Sequence, residues 1–280
     1  MTKARQLREL LCNAGLITAP GAYDCITARM IEQAGFSAVY MTGAGTAAML
    51  GYPDYGLVTM SEMVENAGRI AAAVSVPVIA DADTGYGNEL NVIRTVREYE
   101  QRGVAGLHIE DQGFPKKCGH LENKLLIPLE DYIAKIRAAV SARRDPDFLI
   151  IARTDARAVL GFEEAVRRAN AAIDAGADMA FVEAPESLEE VAEVPRLVRG
   201  ACLLNVVWRG KTPDIALDDA QAMGYKIAIL PVLLFNAVVG VCDQMLGELR
   251  QTRRHPVPVA DVAPKEFFRR MGAEEWDRIK

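Results

Sequence analysis

Eight short apolar runs, rich in β-branched residues and separated by longer helical patterns, constrain the fold of this chain more than any other feature. They are Leu16–Ala19, Ala38–Thr42, Val78–Asp81, Gly106–Glu110, Phe148–Arg153, Met179–Glu183, Cys202–Asn205 and Lys226–Leu230. Strands this uniformly apolar are covered on both faces, which is the condition of a parallel sheet flanked by helices. Helical spacing predicts helices over Glu89–Arg102, Leu129–Ala142, Phe162–Ala175 and Leu188–Val198, with Gly103, Gly176 and Gly224 where C-caps belong. Strands joined through helices make right-handed βαβ units, and eight of them predict a closed (β/α)8 TIM barrel over residues 1–252. A doubly wound open sheet is the alternative. The chain has 280 residues, half of them apolar, and one barrel domain needs about 250.

The polar residues favour closure. Thr42, Asp81, Asp83, Glu110, Arg153, Asp155, Glu183 and Asn205 all stand at or just past the C-terminal ends of the runs. A barrel gathers those ends at one mouth, where active sites sit. Residues 253–280 differ. Arg253–Pro264 is proline-rich, and Lys265–Lys280 places Phe267, Phe268, Met271 and Trp276 on one face of a predicted helix. That face needs a partner surface, on the same subunit or a neighbour.

The net charge of −6 argues against general nucleic-acid binding, which needs a basic face. No run approaches the ~18 apolar residues of a membrane span. Lys3, Arg5, Arg8 and Glu9 interrupt the first leucines, unlike a signal peptide. The five cysteines, Cys12, Cys25, Cys118, Cys202 and Cys242, are irregularly spaced, as expected of free thiols in a cytosolic protein. All but Cys118 lie in apolar patterns and are expected in the core.

Three groups of residues carry chemistry. Asp81-Ala82-Asp83 ends one strand and Glu110 ends the next. Adjacent barrel strands bring these carboxylates together, and a hard cation such as Mg²⁺ takes oxygen ligands of this kind. Asp-x-Asp by itself also fits a capped turn. The second group is Lys116-Lys117-Cys118-Gly119-His120, after the fourth strand. A thiol beside cations and an imidazole is expected to have a lowered pKa and to be reactive. The third is anion recognition. Arg153 could fork onto a carboxylate, oriented by Asp155 or Glu183. Thr42-Gly43-Ala44-Gly45 could offer backbone N–H groups, and Asn205 could donate from the seventh strand. His108, inside an apolar strand, is expected in the core, and His255 in solvent.

Together these residues resemble the isocitrate lyase/phosphoenolpyruvate mutase superfamily, most of all its methylisocitrate lyase and 2,3-dimethylmalate lyase branches. The matching stretches are Thr42–Gly45, Gly51–Gly56 with Asp54, Asp81–Gly87, Gly106–Gln112, Lys116–His120, Ala152–Ala156 and Glu183. The resemblance implies a barrel with Mg²⁺, or Mn²⁺ in its place, at Asp81, Asp83 and Glu110. It implies substrate contacts from Thr42, Gly43, Ala44, Cys118, Gly119, Arg153, Glu183 and Asn205, with Val207 just beyond. Asp54 falls on a loop important for catalysis in the family, and Cys118, Glu110 and His120 fall among its catalytic groups. Family members commonly form homotetramers and exchange their last barrel helix.

The implied activity is cleavage of a carbon–carbon bond in a small 2-hydroxy di- or tricarboxylate, with Cys118 protonating the departing enolate. Methylisocitrate lyases place one arginine near Asn236 and another near Lys265. This chain lacks the first, and Trp208-Arg209 replaces a Glu-Gly pair usual in the dimethylmalate type. A substituted malate is therefore the expected substrate. An oxaloacetate-type hydrolase or a phosphonate mutase on the same fold is the alternative, and a non-catalytic binding barrel is a third reading.

Overall fold

The computed structural model describes residues 1–13, 15–260 and 262–279. Its strands are β1 (Ile17–Ala22), β2 (Val39–Met41), β3 (Val78–Asp81), β4 (Gly106–Glu110), β5 (Leu149–Thr154), β6 (Met179–Val182), β7 (Ala201–Asn205) and β8 (Ile227–Leu230). Each pairs in parallel with its chain neighbours, and β1 closes on β8 from Ile17↔Ile227 to Pro20↔Leu230. The sheet is therefore a (β/α)8 barrel, and the open-sheet alternative falls.

Local chemistry explains the helices between the strands. Thr59 and Glu62 form a reciprocal capping box that starts the Met60–Ala73 helix. Asn88 caps Glu89–Gln101 by accepting from the N–H groups of Leu90 and Asn91. Such caps are worth about 1 kcal/mol each. Gly103, Gly176 and Gly224 take positive φ just where helices end.

Strand side chains alternate between faces, and this alternation builds the site. Ile17, Tyr40, Ile79, Ile151, Met179, Phe181, Leu203, Ile227 and Ile229 share one buried cluster, joined by Leu7 of the Lys3–Asn13 helix. Each large apolar side chain there contributes roughly 1.5–3 kcal/mol through burial. Two residues further along the same faces come Asp81 after Ile79, Arg153 after Ile151, Glu183 after Phe181 and Asn205 after Leu203. The filled interior thus ends in a polar mouth.

The last segments differ from expectation. The Leu233–Thr252 helix has no buried residue, and Leu233, Val238, Val239, Val241, Leu246 and Leu249 are exposed. The single helix expected over Lys265–Lys280 is two, Pro264–Arg270 and Ala273–Asp277. They are parted at Gly272, which takes φ 90°; Lys280 lies outside the described residues. Phe268 and Trp276 remain exposed. Among the described residues no helix is long and apolar enough to cross a membrane.

Candidate active site

Strand register brings the polar residues together. Glu110 stands opposite Arg153 across β4 and β5, and Asp81 opposite His108 across β3 and β4. The floor beneath them is aromatic. Tyr40 stacks on His108, Phe181 meets His108 edge-on, and the Arg153 guanidinium lies 5.2 Å from the Phe181 ring centre. His108 is fully buried as expected, and burial brings its pKa down to about 4. It is neutral and contacts the Tyr40 hydroxyl at 2.8 Å. His255 is exposed, as expected.

The carboxylates share the mouth but not one point. Asp81 accepts from the N–H of Asp83 at 2.9 Å and that of Gly43 at 3.2 Å. Burial opposes its charge, yet His108, charged only below about pH 4, together with Lys116, Arg153 and the Asp83 N–H brings it to about 2. Asp83 lies 2.6 Å from the Lys116 ammonium, which also reaches Asp54 at 2.5 Å. Burial, helped by Asp81 and Asp54, pushes Asp83 up to about 6 against the pull of Lys116. Burial likewise drives Glu110 well above the carboxylate range.

Among the described residues no three His, Cys, Asp or Glu side chains are spaced to grip a metal ion directly. The expected close triad of Asp81, Asp83 and Glu110 is therefore loosened, because Asp81 is turned to backbone N–H groups and Asp83 to a lysine. The donor set nonetheless fits a hard cation that keeps most of its water. Both Glu110 oxygens and Asp83 Oδ1 are buried without a hydrogen bond, the latter facing Lys116 out of line. Burial holds both carboxyls above the usual carboxylate range although Lys116 faces Asp83 and Arg153 faces Glu110, and a dication would supply the further positive charge they call for. Lys135, itself buried, donates to the Thr84 carbonyl and steadies this loop.

Past β4 the chain makes an excursion. Its stem is pinned by a Gln112↔Leu126 bridge and by the Gly113 N–H on the Leu125 carbonyl at 2.7 Å. Gln112 holds both backbone groups of Lys117. The outer part is Lys116–His120. The Cys118 N–H donates to the Asp54 carbonyl at 3.2 Å. Gly119 lies so close to Glu183 and Arg153 that a Cβ there would collide with both. His120 accepts from the Lys211 N–H on Nδ1 at 3.0 Å and turns Nε2 to Glu183 at 3.3 Å. A neutral His120 therefore carries its proton on Nε2.

The expectation of a lowered Cys118 pKa is overturned. Burial, reinforced by Asp54 and Glu183, pushes the thiol up to about 11. The lysines that flank it in sequence do not face it: Lys116 turns to Asp54 and Asp83, and Lys117 to the Asn123 carbonyl. Of the other cysteines expected in the core, Cys202 on β7 is buried as expected. The remaining three are corrected: Cys25 is half-buried and Cys12 and Cys242 are exposed, because helix-face patterns do not say whether the face is covered.

Arg153, Asp155, Glu183 and Asn205 meet at the mouth. Arg153 donates from Nε and an outer nitrogen to Asp155 at 3.0 and 3.1 Å, while its other outer nitrogen faces Glu110 at 3.3 Å without a hydrogen bond. Burial resists the Asp155 charge, but Arg153 and Lys124 bring it down to about 2. Asn205 donates to both Glu183 oxygens at 3.3 and 3.2 Å. The Gly43 N–H is taken by Asp81 and that of Gly45 by the Thr42 hydroxyl, so this turn offers an outside anion less than expected. Ala44 is half-buried between them. Val207 closes a turn by accepting from Gly210 and sits in the loop that carries Lys211. Sequence reasoning missed Tyr40, Lys124 and the Asp111–Arg168 pair at 3.0 Å behind Asp155.

A sequence model of the phosphoenolpyruvate phosphomutase family matches residues 7–250. The chain belongs to the phosphoenolpyruvate mutase/isocitrate lyase superfamily. It is 50% identical to 2,3-dimethylmalate lyase of Eubacterium barkeri, over 100% of this chain and 98% of that one. It is 49% identical to 2-methylisocitrate lyase of Aeropyrum pernix, over 97% and 88%. Oxaloacetate acetylhydrolase bound to 3,3-difluorooxalacetate superposes with a TM-score of 0.96 at 39% identity, over 99% and 96%. Phosphonopyruvate hydrolase bound to oxalate and Mg²⁺ superposes at 0.87 and 32% identity, over 100% and 98%. With these superfamily relatives, the chain is an enzyme of the lyase kind.

Proposed function

We infer that the chain is a Mg²⁺-dependent carbon–carbon lyase acting on a 2-hydroxy dicarboxylate of the substituted-malate type. The observation that carries this reading is the Cys118 thiol held protonated, on an excursion whose next residue touches Arg153 and Glu183. A protonated thiol beside a carboxylate cradle is an acid waiting for a carbanion. Mg²⁺ held by Asp81, Asp83 and Glu110, with water completing its shell, would lower the pKa of a substrate hydroxyl and stabilise the keto acid.

Within this chain, Arg153 receives a substrate carboxylate through the N–H groups that Asp155 leaves free. Glu183 and Asn205 hold one another beside it. When the hydroxyl gives its proton to a solvent water, its electron pair forms the keto C=O bond and the adjacent C–C bond breaks. The electrons move onto the departing carboxylate fragment as an enolate. Cys118 gives that carbon its proton and is left as a thiolate, to be reprotonated from solvent. The excursion keeps water from the enolate while this occurs.

The substrate assignment rests on Asn236 and Trp208. They line a cavity of about 330 Å³ whose other walls are apolar except for Asp214. A third carboxylate meets no cation there. The loss of one such charge-assisted contact costs roughly 2–5 kcal/mol. The exposed apolar side of Leu233–Thr252 supports a further reading, that a second copy covers it by helix exchange within a homotetramer. Sedimentation at micromolar concentration checks this, and a stable monomer removes it.

The decisive experiment is a panel of substituted malates, 2-methylisocitrate, oxaloacetate and phosphonopyruvate, assayed for pyruvate, glyoxylate and oxalate. The expected result is highest kcat/KM on a substituted malate. Preference for oxaloacetate makes the chain a hydrolase, and preference for 2-methylisocitrate removes the dicarboxylate assignment.

A further inference from the structure

Lys124 lies on the return limb of the excursion, and its side chain is 1% exposed. It donates to the carbonyl of Gly119, next to the thiol, and to Asp155 Oδ1 at 2.9 Å. Asp155 in turn receives both donors of the Arg153 fork, and its own N–H is fixed by Asp111 at 2.8 Å. A single buried cation thus joins the tip of the excursion to the residue that sets Arg153. No other hydrogen bond among the described residues ties the Gly119 backbone to the barrel. Gly119 can approach Arg153 and Glu183 only because it lacks a side chain, and its carbonyl is where Lys124 holds the residue next to Cys118.

A buried lysine needs a counter-charge, and Asp155 already has one in Arg153. Stability of the barrel therefore does not explain why a second cation is brought in from the excursion. Closure does. We propose that Lys124 is a positioning residue: it latches the Cys118 excursion shut over the mouth by linking the Gly119 carbonyl to Asp155. Through that link, the placement of the acid and the orientation of the carboxylate-binding arginine are set together. The proposal rests on Cys118 being the reacting group, but its test does not need turnover.

In the full chain without substrate, the rate of Cys118 alkylation by iodoacetamide reports how often the excursion opens. It is read by peptide mass, so that Cys12 and Cys242 are counted separately. Replacing a charge-assisted contact should raise the open fraction about 10- to 100-fold. Lys124→Met is expected to alkylate at Cys118 at least about tenfold faster than wild type, with a fall in kcat larger than any rise in KM. Lys124→Arg, which keeps a cation on Asp155, should return the alkylation rate to within about threefold of wild type. Should Lys124→Met fail to fold by circular dichroism, Lys124→Gln, whose amide can still pair with Asp155, carries the same comparison at a smaller expected rise. A folded Lys124→Met or Lys124→Gln with wild-type alkylation overturns the latch, whatever its activity. A faster rate in a protein that cleaves no substituted malate leaves the latch standing and removes only the substrate reading.

Discussion

The raised pKa of Cys118 makes a prediction that can be worked through in numbers. At pH 8 a free thiol of pKa about 8.5 is roughly one quarter thiolate. With its pKa pushed up to about 11, Cys118 is about 0.1% thiolate at that pH, a deficit of some 250-fold. A more basic thiolate is a better nucleophile, with a Brønsted slope of about 0.4–0.5, which restores about tenfold. Cys118 should therefore alkylate about twentyfold more slowly than a free thiol at pH 8, before any shielding by the excursion.

The assay is iodoacetamide labelling in chelator from pH 7 to 9.5, with the exposed Cys12 and Cys242 as internal controls. The logarithm of the Cys118 rate should climb with unit slope throughout. The sign extends to stability. A thiol whose pKa is higher folded than unfolded favours the fold below the unfolded pKa, and that contribution is lost as pH rises towards 11. A Cys118 rate that levels off below pH 9, or that exceeds the Cys12 rate at pH 7, refutes the argument and restores a reactive thiolate.

Three further outcomes follow from the same geometry. Cys118→Ser should reduce C–C cleavage by about 10²–10⁴-fold, the usual worth of a general acid, with Mg²⁺ binding by calorimetry unchanged; near-normal turnover would remove the thiol from the mechanism. Asp83→Ala should keep the fold by circular dichroism but lose turnover that chelator abolishes and Mg²⁺ restores in wild type, and full activity in this variant would exclude the metal site. Arg168→Met should strand the fully buried Asp111 without its cation, at a cost of about 3–5 kcal/mol and a fall in Tm of roughly 10 °C; an unchanged Tm would show that Thr154 and the Asp155 N–H satisfy Asp111 alone.

The barrel was legible because parallel strands must be apolar on both faces, and helices between them must keep a polar side. β3 and β4 match their expected bounds, Val78–Asp81 and Gly106–Glu110. β1 runs three residues past its expected end, to Ala22, because Pro20 and Gly21 look like a turn. In the structure Pro20 pairs with Leu230, and Gly21 is needed where a Cβ would strike the Pro231 backbone. The tail was misread for the opposite reason. Its apolar residues fit a helix, but Gly272 at φ 90° divides it.

The site was legible wherever strand alternation sets direction, and obscure wherever a loop sets it. Asp81, Glu110, Arg153, Glu183 and Asn205 project into the mouth because residues two places before them fill the barrel. Lys116, Lys117, Cys118, His120 and Lys124 have no such periodicity. Neighbours in sequence there are not neighbours in space, so two lysines beside a cysteine suggested an acidic thiol although neither ammonium turns towards it. Lys116 goes instead to Asp54 and Asp83, and Lys117 to the Asn123 carbonyl. What is left around the thiol is burial and the charges of Asp54 and Glu183, which outweigh the pull of Arg153 and the His120 N–H and hold its proton on. A chain that lowered this pKa would keep a nucleophile at its mouth. One that raises it keeps an acid, and an enolate requires the acid.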